Sequence, residues 1–259
     1  LPSPVFSDYN IGSLVEYNLY PARGYVDNRP EAFPDAFWKQ EYQPALELGE
    51  GWEQMRRARG IQTVIVSLPG VKEAYVRAMM SRPEWRLVHL DYICAVWALA
   101  EEANRAFIER RLFDQAALSR YVAGIEARVA RLPETPFWER QVAADQIAYD
   151  LYSLICVGEA LRAWPMLWRL YEQYPDYQIV HELLRVSAPP EYVPAVKEVM
   201  ERRARWPLAA KQALDWGRVL ESEGRAGEAL QVYQRGLRFF PFSLGLREAA
   251  RRLSYAFAG

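Results

Sequence analysis

The sequence predicts an α/β half with a mainly parallel sheet, followed by an all-helical half. Three observations carry that expectation. Short β-branched runs alternate with helical stripes over roughly the first 100 residues, and the strand signal then disappears. Beyond that point helix-terminating prolines recur at 175, 207 and 241, spacings that suggest a repeat.

Taken in order, Pro4-Val5-Phe6-Ser7 reads as a first strand ending at Asp8. Apolar residues at 11, 14, 15 and 19 form a helical stripe. Gly24-Tyr25-Val26-Asp27 reads as a second short strand, and 36–59 as helix broken near Gly49 and Gly51. The β-branched run from Gln62 to Leu68 is the clearest strand, closed by Pro69-Gly70. Val71 to Ser81 follows as helix and Trp85 to Leu90 as strand. A last strand at Ile93 to Leu99 is close enough to its predecessor to form a hairpin through Leu90-Asp91-Tyr92. This alternation gives a Rossmann-like expectation for residues 1–101, with right-handed crossovers between parallel strands.

Residues 102–143 read as connecting helices, Ala103 to Phe113 and Gln115 to Arg131 among them. From 144 to 259 the signal is repetitive. Twelve residues before each of the three prolines stands an alanine, Ala163, Ala195 and Ala229. The last unit is the most complete, with Trp216-Gly217, Gly224, Ala229, Tyr233, Gly236 and Pro241. Those residues resemble one tetratricopeptide repeat, with Gln212 to Glu223 and Ala226 to Phe239 as its two helices. The earlier units match more loosely, and Leu246 to Phe257 reads as a capping helix.

The composition is that of an ordinary globular chain, 51% apolar and 25% charged with a formal net charge of -1. That excludes intrinsic disorder and gives no reason to expect a nucleic-acid partner. The longest uninterrupted apolar run, Tyr92 to Ala100, is well short of the ~20 residues a membrane span needs. Cys94 and Cys156 lie far apart in apolar runs and read as buried free thiols. The chain starts Leu1-Pro2-Ser3-Pro4, which reads as an excised part of a longer protein.

The text from Val5 to Tyr17 and from Gly24 to Pro34, with the later Pro83-Glu84-Trp85, Val88 and Asp91, resembles the segment after the last membrane span of some bacterial polytopic proteins. Those proteins look like lipid-carrier-dependent glycosyltransferases of the C-type superfold. The resemblance implies a soluble domain on the exoplasmic face of a membrane, attached to a membrane-embedded parent. It also implies an accessory role, contacting acceptor, glycan or partner protein, because the family's catalytic acidic residues lie in loops between spans. A cytoplasmic interaction scaffold and a small hydrolase or transferase on the α/β half are the alternatives.

Candidate ligand residues are Asp8, Gly12, Asp27, Asn28, Arg29 and Glu31, which follow the first two strands and should share the sheet's ligand edge. The lone Gly12 does not make a dinucleotide fingerprint, and no cofactor is expected. Tyr152, Tyr177, Leu184, Lys211, Arg218 and Glu221 should line the groove of the helical array. His89 and His181 stand alone, without H-E-x-x-H or a cysteine at ligand spacing, so no metal site is expected. No catalytic set is expected either: G-x-S-x-G is missing and no serine has a histidine nearby in sequence. The basic residues Arg235, Arg238, Arg247, Arg251 and Arg252 read as the solvated face of amphipathic helices. Aromatic residues, 14% of the chain, crowd the first 42 positions, where exposed rings are expected to concentrate.

Overall fold

The structure is a computed structural model that describes residues 1–19, 25–26, 29–68, 73–174, 183, 188–207 and 209–258. The chain divides into two compact units, Leu1–Ser187 and Ala188–Gly259.

In the first unit, β1 (Val5–Ser7), β2 (Thr63–Ser67), β3 (Trp85–Leu90) and β4 (Cys94–Leu99) form one sheet in the order β1-β2-β4-β3. β1 pairs with β2 in parallel, whereas β4 pairs antiparallel with both β2 and β3. The expected mainly parallel, Rossmann-like sheet is therefore corrected to a small mixed one. Two features cause this. The connection from Leu90 to Cys94 is far too short for a parallel crossover, so β4 must turn back on β3. It then slots between β3 and β2, with Ser67 opposite Cys94. Nor does the expected second strand add a parallel neighbour. Tyr25 and Val26 are not in a strand, and Gly24 and Asp27 lie outside the described residues. Val26 is nonetheless buried, and its carbonyl accepts the Ser7 hydroxyl at 3.4 Å.

Both faces of the sheet are covered. One carries Val5, Ile65, Val88, Val96 and Ala98, under Ile11 and Val15 of the α1 (Gly12–Leu19) segment and Phe107 and Ile108 of α5 (Arg105–Arg111). The other packs Phe6, Val64, Val66, Leu87 and Trp97 against a larger helical layer. That layer includes α2, a continuous helical stretch in which Asp35–Phe37 and Gln43–Glu47 flank a π-helical turn, Trp38–Tyr42. It also includes α3 (Glu50–Arg59), which contributes Trp52, and α4 (Glu73–Met80), which contributes Tyr75, Val76 and Met79. Cys156, at the end of α7 (Phe137–Cys156), completes it.

α6 (Gln115–Arg131) begins at Asp114, whose carboxylate accepts the Ala117 N–H at 2.8 Å as an N-cap. α6 and α7 are tied by a buried polar cluster in which Asp150 takes bonds from Arg128 and from the Tyr121 hydroxyl, with Ser153 beside them. α8 (Ala160–Gln173) packs back on α7.

The second unit holds α9 (Val193–Arg205), α10 (Ala210–Ser222), α11 (Ala226–Phe239) and α12 (Leu244–Ala258). α10 and α11 form a hairpin that turns at Gly224 with φ +77°. Their approach is set by small residues. A Cβ on Gly217 would lie 2.1 Å from the Tyr233 ring, and one on Gly236 would lie 2.8 Å from the Ala213 Cβ. The Tyr233 hydroxyl donates to Glu221 at 2.5 Å, and Arg252 of α12 also bonds Glu221, at 2.8 Å.

Candidate functional site

The first unit contains a cavity of about 370 Å³ lined by Pro4, Val5, Tyr25, Phe33, Phe37, Arg59 and Ile61. Its volume falls in the range of ordinary small-molecule pockets, roughly 300–1,000 Å³. Two other concavities, of about 230 Å³ beside Arg86 and Arg105 and about 130 Å³ beside Trp216 and Arg235, fall below it.

The walls are aromatic because Tyr25 and Phe33, which precede α2, converge on Phe37 in its first turn. Phe33 and Phe37 stack at 4.8 Å between centroids, Tyr25 meets Phe37 at 5.6 Å, and Trp38 stands edge-on to both phenylalanines. The π-helical turn begins at Trp38 and ends at Tyr42, so the extra residue per turn falls where these rings converge. Beyond the cavity the network continues through Phe6, Trp52 and Trp85.

One polar arrangement stands at the solvent side of the rings, where the Arg59 and Glu41 side chains are 57% and 38% exposed. Glu41 accepts the Tyr25 hydroxyl at 3.2 Å and Arg59 Nη2 at 2.8 Å on the same carboxylate oxygen. Burial, and then the neighbouring Glu41 charge, push the Tyr25 hydroxyl well above the usual tyrosine range, so it stays a neutral donor. Pairing with Glu41 offsets the Arg59 charge. The cavity thus offers ring faces and, at its solvent side, Arg59 paired with Glu41.

The sequence candidates are distributed unevenly. Asp8 does stand at the end of β1, but it is 1% exposed and turned into the structure. Its two oxygens accept the N–H groups of Asn10, at 2.8 Å, and of Ser67, which clamps the ends of β1 and β2 together. Burial raises its carboxyl above the usual value, over the opposing pull of those two N–H donors. Gly12 opens α1 and is buried; Arg29 and Glu31 are exposed beside the 3-10 turn Pro30–Ala32. Asp27 and Asn28 lie outside the described residues.

Of the expected groove, Tyr152 packs against the core of the first unit, beside the Cys156 thiol. Lys211 and Arg218 are exposed on α10, and Glu221 is engaged by Tyr233 and Arg252. Tyr177 and Leu184 lie outside the described residues. The exposed rings are also not where they were expected. Tyr17 is exposed in the N-terminal stretch, but most described rings there pack into the aromatic core, while Phe137, Trp138, Trp206, Phe242 and Tyr255 lie open on helices and turns further on. A crowded aromatic stretch buries itself because each ring shields its neighbours.

A second cluster sits at the tip of the β3–β4 hairpin. His89 Nε2 lies 2.9 Å from Asp91 Oδ2, while Asp91 Oδ1 accepts the N–H groups of Ile93 and Cys94, both at 2.8 Å. The ligand atoms of His89, Asp91 and Cys94 all fall within 4.8 Å of one another. Burial, then the carboxylates of Asp91 and Asp8, push the Cys94 thiol up to about 12. Against the burial that would raise it, the His89 ring and the two N–H donors hold the Asp91 carboxyl below its usual value. This grouping corrects the reading of His89 as an isolated histidine. The signal was the spacing His89-x-Asp91-x-x-Cys94 across a hairpin.

Comparison with protein-family models, with characterised proteins and with solved structures returned no match for this chain.

Proposed function

We propose that this chain is a non-catalytic binding module of a larger glycosyltransferase-like membrane protein, working on the exoplasmic face, and that its aromatic cavity takes a sugar ring of a glycan or acceptor. The observation that supports it is the pairing of stacked Phe33 and Phe37 with the Tyr25–Glu41–Arg59 relay. A pyranose has apolar C–H faces that pack on aromatic rings and equatorial hydroxyls that need fixed donors and acceptors. Glu41 is held by two donors, which suits positioning rather than proton transfer. Among the described residues no helix is long and apolar enough to cross a membrane, so the membrane portion belongs to the parent protein in this reading.

The test is a titration of the chain with mono- and oligosaccharides, followed by calorimetry or by chemical shifts of residues around Phe37. Saturable binding that is lost in both Phe37→Ala and Arg59→Met, with circular dichroism unchanged, is the expected outcome. Binding that neither substitution alters would move the site elsewhere.

A second reading is favoured by α10, where Lys211 and Arg218 stand exposed seven residues apart on one helix face. In this reading the helical unit is a tetratricopeptide-type scaffold that docks an acidic peptide. Retention of an acidic peptide library on the chain, abolished by Arg218→Glu, is its expected result.

A further inference from the structure

We propose that His89, Asp91 and Cys94 form a binding site for a divalent transition-metal ion of the zinc type. The three side chains come from the tip of one hairpin, His89 from the end of β3, Asp91 from the turn and Cys94 from the start of β4, and the fold has already brought their ligand atoms within 4.8 Å of one another. Around a tetrahedral zinc, imidazole nitrogen, carboxylate oxygen and thiolate sulfur would stand about 3.3–3.6 Å apart, given the usual bond lengths. His89 Nε2 and Asp91 Oδ2, now 2.9 Å apart, would separate slightly to admit the ion, while the set as a whole, spread over no more than 4.8 Å, would draw in.

The carboxylate is oriented before any ion arrives. Asp91 Oδ1 is fixed by the N–H groups of Ile93 and Cys94, and the Asp91 N–H in turn bonds the Cys94 carbonyl at 3.1 Å. That leaves Oδ2 as the oxygen facing His89. Such outer hydrogen bonds are what hold a metal-ligating carboxylate in place.

Position and charge agree with the ligand set. β1, β2 and β3 all end at this edge of the sheet, where Asp8, Ser67 and Asp91 follow or close them. Asp8, buried at the same edge, accepts the N–H of Ser67, and Ser67 pairs with Cys94, so a second acidic side chain lies next to the ligand set. A thiolate and an imidazole beside one carboxylate select zinc, cobalt or nickel over magnesium or calcium, whose ligands are oxygens. Three protein ligands, with His89 exposed, leave a fourth position to water. On binding, the Cys94 S–H bond breaks, its proton goes to solvent, and a sulfur–metal bond forms. His89 enters as neutral imidazole and Asp91 as carboxylate, with no change of oxidation state.

The experiment is a titration of the reduced, untagged chain with Co²⁺, read as the near-ultraviolet thiolate-to-cobalt charge-transfer band, with Zn²⁺ competition. The only other cysteine, Cys156, is 1% exposed in the core, so the band reports Cys94. One equivalent of Co²⁺ producing the band, its loss in Cys94→Ser, and affinity at least about tenfold weaker in His89→Ala and Asp91→Asn are the expected results. His89 is exposed, so its substitution leaves the fold intact even if Cys94→Ser perturbs the strand. A wild-type chain that gives no band, a band that persists in Cys94→Ser, or an affinity unchanged in His89→Ala would each overturn the proposal.

Discussion

Around Trp52 the first unit packs ring against ring, whereas around Gly217 the helical unit packs a ring directly on backbone. The two arrangements tolerate imperfection differently. The ring-on-ring core leaves the Nε1 atoms of Trp52, Trp85 and Trp97 and the hydroxyl of Tyr75 buried without a hydrogen-bond partner among the described residues. It also leaves the cavity between Tyr25, Phe37 and Arg59. That cavity opens to solvent and has a polar residue, Arg59, in its lining, which makes it a place a ligand can enter. At the Gly217–Tyr233 contact itself no such gap exists, since even one added methyl group at Gly217 would collide with Tyr233.

Substitutions separate the two cases. The largest effect belongs to Trp52→Ala, which removes a fully buried indole touching Phe6 and Trp85 and should cost about 3–5 kcal/mol in urea denaturation. Gly217→Ala comes next, at about 3 kcal/mol, the upper end of ordinary overpacking, because the Tyr233 ring must shift and carries its bond to Glu221 with it. A cost below about 0.5 kcal/mol for Gly217→Ala would show that the hairpin is looser than its geometry. The smallest effect is in the pH dependence of the denaturation midpoint. The raised Asp8 carboxyl contributes stability that is present below the usual 3.8 and lost as pH rises through its folded value. The lowered Asp91 carboxyl does the reverse: its contribution is present above 3.8 and lost as pH falls through its folded value. Asp8→Asn should flatten the decline on the weakly acidic side, and Asp91→Asn the loss at lower pH.

What the sequence revealed followed local pattern. The β-branched run at Thr63–Ser67 and the capped helix after Asp114 are visible because each is specified by residues within a few positions of itself. The order of the strands is specified elsewhere. That β4 inserts between β2 and β3 depends on pairings such as Ser67 with Cys94, 27 positions apart, and no local period encodes them. The same reason hid the sites. Glu41 and Arg59 sit on different helices, separated by 18 positions, and meet only when α2 folds against α3. His89, Asp91 and Cys94 are near in sequence, but their spacing matches no familiar metal motif, and only the hairpin turns it into a cluster. Aromatic crowding in the first 42 residues was legible, while its burial required knowing which rings touch.

Binding of a sugar ring in the cavity beside Phe33 and Phe37 is tested by titrating the intact chain with a glycan panel while following the resonances of those two rings. Saturable shifts confined to the cavity residues, with a dissociation constant on the order of 1 mM or tighter, are expected, and they should disappear in Phe37→Ala. Rings whose resonances stay fixed through the whole panel, or shifts that survive Phe37→Ala, would contradict it.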